Sequence, residues 1–382
     1  MTGRAPSVLI LTASYGSGHN RVADALAAAF RAAGAAPRVV DHFRDLVHPA
    51  FDRLTRTLYY QVLRCAPLLW GGTYWLGDQL PVHSPLLLGV NRLGARKLGA
   101  LLAASRPELV VSVHPTPAGA FSELRARGRG RVPHATVFTD FVAHTQWIYP
   151  EVDWYCVPAE EIKHALVARG VPRERIAVTG IPVIQEFAEP ADRIAARRAL
   201  GLSDTLPVVL VMAGSHGGLG ELAEVCRALM EIPHPFQALM VAGTDHDLTG
   251  RLRRMTRGHE ERIRVYPYIE TIRQFMAAAD LLVTKAGGVT LAEALAVGLP
   301  LLCFGSLPGQ ERRNERFAGM AGVALTAGSR AELTHSLTLA LTDPLLLGKF
   351  RERIRVIRRP EAARSVAELL LSGLSRRSEP AS

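Results

Sequence analysis

His19 closes a turn of small residues, Ser14-Tyr15-Gly16-Ser17-Gly18-His19, between an apolar run at Val8–Leu11 and an alanine-rich helical pattern. Histidine, with a reference pKa of about 6.5, can take a proton from a hydroxyl near neutral pH. The turn admits three readings: a phosphate cradle, a base carried up by permissive backbone, or a tight connection whose histidine only bonds backbone. Asp140, in Thr139-Asp140-Phe141, is the rival base, or else a turn aspartate at a strand end. His114 and His216 also fall at strand ends.

The second half of the chain carries two more glycine-rich turns. Glycine permits positive φ and close backbone approach, and a helix start behind it offers unpaired N–H groups to an anion. Gly214-Ser215-His216-Gly217-Gly218 is one such turn, without Walker A or full G-x-G-x-x-G spacing. In the other, a strand ends at Lys285 and Gly287-Gly288 open a helix that carries Thr290 and Glu293 three residues apart. A carboxylate there is either a surface residue compatible with the helix dipole or a ligand for two vicinal hydroxyls, as on a ribose. Lys285 either neutralises phosphate or is simply solvated. Gln310, Glu311 and Asn314 follow the next strand as hydrogen-bonding partners for a polyol, or as ordinary loop polarity.

These turns need strands and helices to position them, and the pattern supplies both. Short β-like runs recur, each followed by a helical pattern: Val8–Leu11, Arg38–Val40, Leu109–Val113, Ala135–Phe138 (before "TDFVAHTQW"), Trp154–Val157 and Ile176–Thr179. The series restarts with Pro207–Met212, Gln237–Val241, Ile263–Val265, Leu281–Thr284 and Leu299–Phe304. Repeated strand–helix units predict an α/β fold of two doubly wound, Rossmann-like domains with ligands at the strand C-terminal ends. The polar stretch Glu186–Pro207 separates the series, predicting domains at 1–185 and 186–382. A length of 382 residues with 48% hydrophobic content suits two cores.

The formal charge of +10 favours anionic partners but does not choose between nucleic acid, lipid and nucleotide phosphate. No nucleic-acid-binding motif appears, and no nucleic-acid partner is expected. Cys65, Cys156, Cys226 and Cys303 lie far apart without a C-x-x-C pair, which argues against a zinc site or disulfide framework and for a reducing, cytoplasmic setting. The first apolar run is too short for a signal-peptide core, and no run reaches the length of a membrane span.

Three motifs in order carry a resemblance. "SYGSGHNRVADAL", "TDFVAHTQWIYPEVDWYCVPAEEIKHALVARGVPRERIAVTGIPV" and "KAGGVTLAEALAVGLPLLCFGSLPGQERRN" resemble the family uniting monogalactosyldiacylglycerol synthases, processive diacylglycerol glucosyltransferases and the lipid-II-forming N-acetylglucosaminyltransferase, glycosyltransferase family 28. The likeness runs from about Val8 to Gly322. It implies a B-type glycosyltransferase fold. The N-terminal domain would bind acceptor and membrane, the C-terminal domain a UDP-sugar, and transfer would invert the anomeric centre without a tightly bound metal or cofactor.

Carried over by motif, Gly214, Ser215 and Gly217 would line the diphosphate, with Gly287, Gly288 and Thr290 completing the phosphate side. The backbone near Tyr268 and Ile269 would face the uracil, and Glu293 the ribose. Gln310 and Glu311 would contact the donor sugar. His19 would be catalytic or donor-positioning, with Gly18 bringing it to the acceptor side, and Asp140 and His144 would face the same cleft. His216 would touch the diphosphate, and His114 would order its loop or the acceptor site. Ala286 stands where proline is frequent and Val22 where alanine is frequent; neither removes a functional group.

Between Phe51 and Asp78, Tyr59, Tyr60, Trp70, Tyr74 and Trp75 interleave with Arg53, Arg56 and Arg64. This composition suits either a packed helical subdomain or the headgroup region of a bilayer; the family likeness favours an anionic membrane surface, with the protein peripheral on the inner face of the cell membrane. The expected partners are UDP-glucose or UDP-galactose and diacylglycerol or a related lipid. A different lipid-linked or soluble acceptor, or a non-catalytic UDP-sugar sensor, are the competing readings.

Overall fold

The structure, a computed structural model, describes residues 4–81, 84–212 and 219–378. The chain forms two compact units: residues 1–185 with 361–382, and residues 186–360.

The first unit is built on six strands: β1 (Ser7–Thr12), β2 (Ala36–Asp41), β3 (Leu109–Ser112), β4 (His134–Val137), β5 (Trp154–Val157) and β6 (Ile176–Val178). They pair in the order β2-β1-β3-β4-β5-β6, all in parallel. Val8 to Leu11 are buried without alternation, as expected of a central parallel strand covered on both faces. The register places Ile10 opposite Val39 on one side and Val111 on the other. Leu9, Leu11, Val40, Val110 and Phe121 are among the residues of the core beneath.

The second unit repeats the plan with β7 (Val208–Met212), β8 (Gln237–Val241), β9 (Ile263–Tyr266), β10 (Leu281–Thr284), β11 (Leu301–Phe304) and β12 (Ala324–Ala327). Its order is β12-β11-β10-β7-β8-β9. In each sheet the chain builds outward one way and then returns to the other side of its first strand. The switch points therefore lie between β1 and β3 and between β7 and β10, where crevices form outside the strand C-termini.

Two features differ from the sequence-based expectation. Residues 186–382 do not form one unit: the last helix, Ala362–Ser378, packs against the helix Ser17–Ala32 of the first. Arg377 lies over the Trp154 ring at 4.5 Å and bonds Asp153 at 3.0 Å. The segment after β4 carries no α-helix; it runs irregularly through a single 3-10 turn, Thr145–Trp147, toward β5. Its buried side chains, Phe138, Trp147, Tyr149 and Val152, belong to the local core, so their apolar spacing reflects packing of a loop.

At the N-terminal end of β10, far along the strands from the switch point, Asp280 binds Arg193, Arg197 and Arg351 and accepts the Val208 N–H at 2.9 Å. Arg197 is buried and its remaining N–H groups reach the carbonyls of Ala278, Ser203 and Asp204. Removing the carboxylate leaves a buried guanidinium without its counter-charge, a loss of about 3–5 kcal/mol. Asp280→Ala is expected to lower the urea midpoint of the second unit accordingly; an unchanged midpoint would show the cluster to be solvent-compensated.

Candidate functional site

The crevice of the first unit is made by the ends of β1 and β3. After β1 the chain turns through Gly16, at φ 91° and ψ 154°, a conformation open to glycine. The Gly16 N–H donates to the Tyr60 hydroxyl at 3.3 Å. The helix Ser17–Ala32 then begins without a side-chain cap and without an acidic residue in its first turn. His19 sits in that turn.

A hydrogen-bond chain holds the turn. Thr12 Oγ1 donates to Asn20 Oδ1 at 2.9 Å, Asn20 Nδ2 donates to Ser14 Oγ at 3.0 Å, and Ser14 Oγ donates to Asp41. Asp41 ends β2 and also accepts the Arg44 N–H at 2.9 Å. Two neighbouring strand ends thus fix where the His19 helix starts.

His19 Nδ1 lies 2.8 Å from the Val113 carbonyl oxygen and 3.1 Å from Thr139 Oγ1. A carbonyl only accepts, so the network assigns the proton to Nδ1 and leaves the Nε2 lone pair open. Burial pushes the ring pKa down to about 4 against the weaker opposing pull of the Val113 carbonyl, so the imidazole is neutral at pH 7. His114 caps the next helix, Pro115–Ala126: its Nδ1 accepts the Thr116 N–H at 3.1 Å. Its neutral ring therefore carries its proton on Nε2. Burial first, and His19 and His42 after it, hold its pKa well below the usual value. The two rings meet edge to face with centroids 4.7 Å apart.

Asp140 directly follows Thr139, half-buried and engaged with neighbours, at the same strand ends. His144 is 3% exposed, with Nδ1 accepting the Gln146 N–H at 3.2 Å and Nε2 donating to the Tyr74 carbonyl at 3.1 Å. The Nε2 bond thus ties the helix Pro67–Gln79 to the loop after β4, while the Nδ1 bond caps the turn within that loop. Asp78, on that helix, accepts from Thr145 and Arg169 and completes the tie.

The aromatic residues form a connected path from this tie to the His19 turn. Tyr74 packs on His144 at 4.4 Å, Trp70 on Tyr59 at 5.0 Å, and Tyr59 on Tyr15 at 5.6 Å. Tyr15 also packs on Phe43 at 4.9 Å, and its hydroxyl bonds Thr55. Tyr59, Tyr60, Trp70 and Tyr74 are half-buried in this way, which differs from a fully lipid-facing row. The exposed apolar surface belongs to Trp75 (59% exposed) and to leucines: Leu54 (69%), Leu58, Leu68 (82%), Leu69 and Leu76. In the helices Pro49–Cys65 and Pro67–Gln79 only Asp52, Gly77 and Asp78 are buried. Among the described residues no helix is long and apolar enough to cross a membrane.

In the second unit the crevice lies between β7 and β10. Gly214, Ser215, His216 and Gly217 fall outside the described residues. The neighbouring pocket is lined by residues including Met212, Glu221, Thr284, Lys285 and Phe304. Lys285 Nζ pairs with Glu311 Oε1 at 3.2 Å, and Glu311 Oε2 accepts the Leu307 N–H at 2.8 Å. Burial raises the Glu221 pKa, opposed by Lys285 and reinforced by Glu311. Gly305, at φ 74°, admits the Glu221 side chain where a Cβ would meet Glu221 Cγ at 2.7 Å.

Gly287 caps the helix Gly288–Val297, which has no acidic residue in its first turn, with Thr290 half-buried on it. Asn314 Nδ2 donates to the Ala286 carbonyl at 3.0 Å and Ser306 Oγ accepts the Ala286 N–H at 3.3 Å. The β10 turn is thereby fastened to the start of the helix Gln310–Met320, and Gln310 stands at that start, half-buried. Glu293 is 2% exposed and engaged with a neighbour. Tyr268 is exposed and Ile269 half-buried in the segment after β9. Tyr15, Thr139 and the Val113 carbonyl were not singled out from sequence; Thr139 adjoins Asp140, which was, but no spacing rule reports a backbone carbonyl.

Residues 19–183 match the family profile of the monogalactosyldiacylglycerol (MGDG) synthases, and residues 208–317 that of the glycosyltransferase family 28 C-terminal domain. A processive diacylglycerol beta-glucosyltransferase of Bacillus cytotoxicus is 31% identical over 366 residues, covering 96% of this chain and 93% of that protein. Another of that name, from Bacillus cereus, is 30% identical over 367 residues, covering 96% and 94%. Among solved structures, MurG of Acinetobacter baumannii superposes with a TM-score of 0.66 at 14% identity, over 97% of this chain and 100% of that one. A UDP co-structure of Staphylococcus aureus MnaA gives 0.64 at 15% identity, over 99% of each. These likenesses show the two-domain, Rossmann-like fold of the B-type glycosyltransferases.

The folded-state pKa of His19, about 4, lies below its unfolded value of about 6.5. Between those values the unfolded chain binds the extra proton, so this group subtracts stability as pH falls through the window. Two results are expected: a 15N titration of His19 with its midpoint near 4, and a urea midpoint that falls relative to His19→Asn between pH 7 and pH 5. A midpoint near 6.5 would contradict the desolvated, Nδ1-protonated ring.

Proposed function

The chain belongs to the glycosyltransferase family of monogalactosyldiacylglycerol synthases and processive diacylglycerol β-glucosyltransferases, and on that premise we propose that it transfers a hexose from a UDP-sugar to diacylglycerol with inversion. The observation that carries the mechanism is His19: neutral, fixed through Nδ1 by the Val113 carbonyl, with the Nε2 lone pair open at a topological switch point.

In a single displacement, Nε2 of His19 takes the proton of the lipid hydroxyl as its oxygen bonds the anomeric carbon. The bond from that carbon to the diphosphate breaks, and UDP leaves with the electron pair from the opposite face. The low ring pKa makes His19 a weak but always available base, so it serves while the C–O bond forms rather than before it. Charge growing on the diphosphate is met by the unpaired N–H groups where the helix Gly288–Val297 begins, with no carboxylate in that turn to oppose it. Lys285 adds a positive charge once it is released from Glu311. Gly214, Ser215, His216 and Gly217 line the same diphosphate, and the backbone of Tyr268 and Ile269 faces the uracil. Glu293 holds the ribose, and Gln310 and Glu311 the hexose. Asp140 orients the acceptor beside His19. Glucose is the favoured hexose because the curated relatives are named glucosyltransferases.

The helices Pro49–Cys65 and Pro67–Gln79 supply the membrane contact. Their exposed leucines and Trp75 suit the acyl boundary, and Arg53 and Arg64, exposed on the first helix, suit anionic headgroups. These features support a peripheral association with the inner face of the cell membrane as part of the same reading.

Labelled UDP-glucose, UDP-galactose and their N-acetyl forms, offered with diacylglycerol vesicles, test the assignment. Label is expected in lipid with UDP-glucose. UDP bound without transfer to any lipid would favour a sensor instead. His19→Ala should lower turnover by at least about 100-fold while UDP affinity persists; near-normal turnover would remove His19 as base. The double variant Leu68→Glu, Leu69→Glu should reduce vesicle cosedimentation by at least about 10-fold and spare turnover of detergent-dispersed acceptor. Unchanged cosedimentation would move the membrane face elsewhere.

A further inference from the structure

The two histidines at the β1/β3 switch point are held in opposite tautomers. His19 Nδ1 donates to the Val113 carbonyl at 2.8 Å, so its outward nitrogen is a lone pair. His114 Nδ1 accepts the Thr116 N–H at 3.1 Å, so its outward nitrogen is an N–H. The rings touch at 4.7 Å between centroids and 72° between planes, yet no hydrogen bond joins them, and among the described residues neither Nε2 has a protein partner. Both residues are only part-buried, in contrast to His42 and His134, which are fully buried and each leave a ring nitrogen unpartnered. One proton acceptor and one proton donor thus open side by side on the same crevice.

Such a pair matches a hydroxyl with a second, lone-pair-bearing oxygen a few bonds away. A second hydrogen-bond donor to the attacking oxygen would draw off the electron density that the displacement needs. The neighbouring oxygen is the better partner, and in a diacylglycerol that oxygen is the ester carbonyl next to the free hydroxyl. We propose that His114 is a specificity-determining residue that donates its Nε2–H to the acyl ester carbonyl adjacent to the attacking hydroxyl. This rests on the diacylglycerol reading above and deepens it. His114 then distinguishes ester-linked from ether-linked glycerolipids, because only the former present a carbonyl there. Tyr15, packed on His114 with centroids 6.3 Å apart, bounds that side of the crevice.

The test is a competition in mixed micelles between diacylglycerol and its dialkyl ether analogue, with product ratios read for three proteins. The wild type is expected to favour the ester by about 5- to 10-fold in kcat/KM, the worth of one net hydrogen bond. His114→Asn keeps an acceptor that can cap Thr116 but loses the outward donor, and its ratio should fall to about one. His114→Gln places an amide N–H near the Nε2 position and should restore the preference. A variant that is simply misfolded lowers both rates and leaves the ratio alone. An unchanged ratio in a His114→Asn variant that keeps the wild-type circular dichroism and urea midpoint, or a wild-type ratio of one, overturns the assignment. Absence of any lipid product from the wild type withdraws the acceptor class itself, and this assignment with it, so the two failures are told apart.

Discussion

The hydrogen bond from His19 Nδ1 to the Val113 carbonyl is the contact on which the proposed acceptor-side chemistry depends. It spans two strand ends that are adjacent only because β3 returns to the far side of β1. The carbonyl carries no full negative charge, so it sets the tautomer while raising the ring's basicity less than burial lowers it. The result is an imidazole that is oriented, neutral across the physiological range and open at Nε2. Everything around it serves this placement. Gly16 supplies the backbone angle, the chain from Thr12 through Asn20 and Ser14 to Asp41 fixes the helix start, and Thr139 supports the ring from β4's side.

The second unit repeats the topology with different groups. Among the described residues, its switch point brings together backbone N–H groups and a Lys285–Glu311 pair. A helix start without its own carboxylate suits a polyanion. In the proposed mechanism this duplicated architecture divides labour, with proton chemistry in one unit and phosphate chemistry in the other.

Much of this was readable from the residues. Uniform apolar runs such as Val8–Leu11 and Leu281–Thr284 mark parallel strands because both faces are covered, and they fall where the strands are. The edge strand Ala324–Ala327 was missed because "ALTA" is short, small and half-buried, with little to separate it from a helix end. Apolar spacing in "TDFVAHTQW" suggested a helix where a loop packs its side chains into a local core. The division of labour among the aromatics was hidden for a related reason: composition identifies a membrane-suited segment, but only the fold shows that Trp70 and Tyr74 support the turn while Leu68 and Trp75 face outward. His19 was visible as a candidate; its tautomer was not, because its partner is a backbone carbonyl 94 residues away.

The direct test of a base-assisted single displacement is the anomeric configuration of the lipid product. UDP-glucose carries its hexose in the α configuration, and the glycolipid made from it with diacylglycerol can be read by the proton coupling at the anomeric carbon. The account predicts the large coupling of a β-glucoside as the sole product. An α-glucoside, or a mixture of anomers, would contradict a displacement in which His19 takes the proton as the acceptor oxygen attacks.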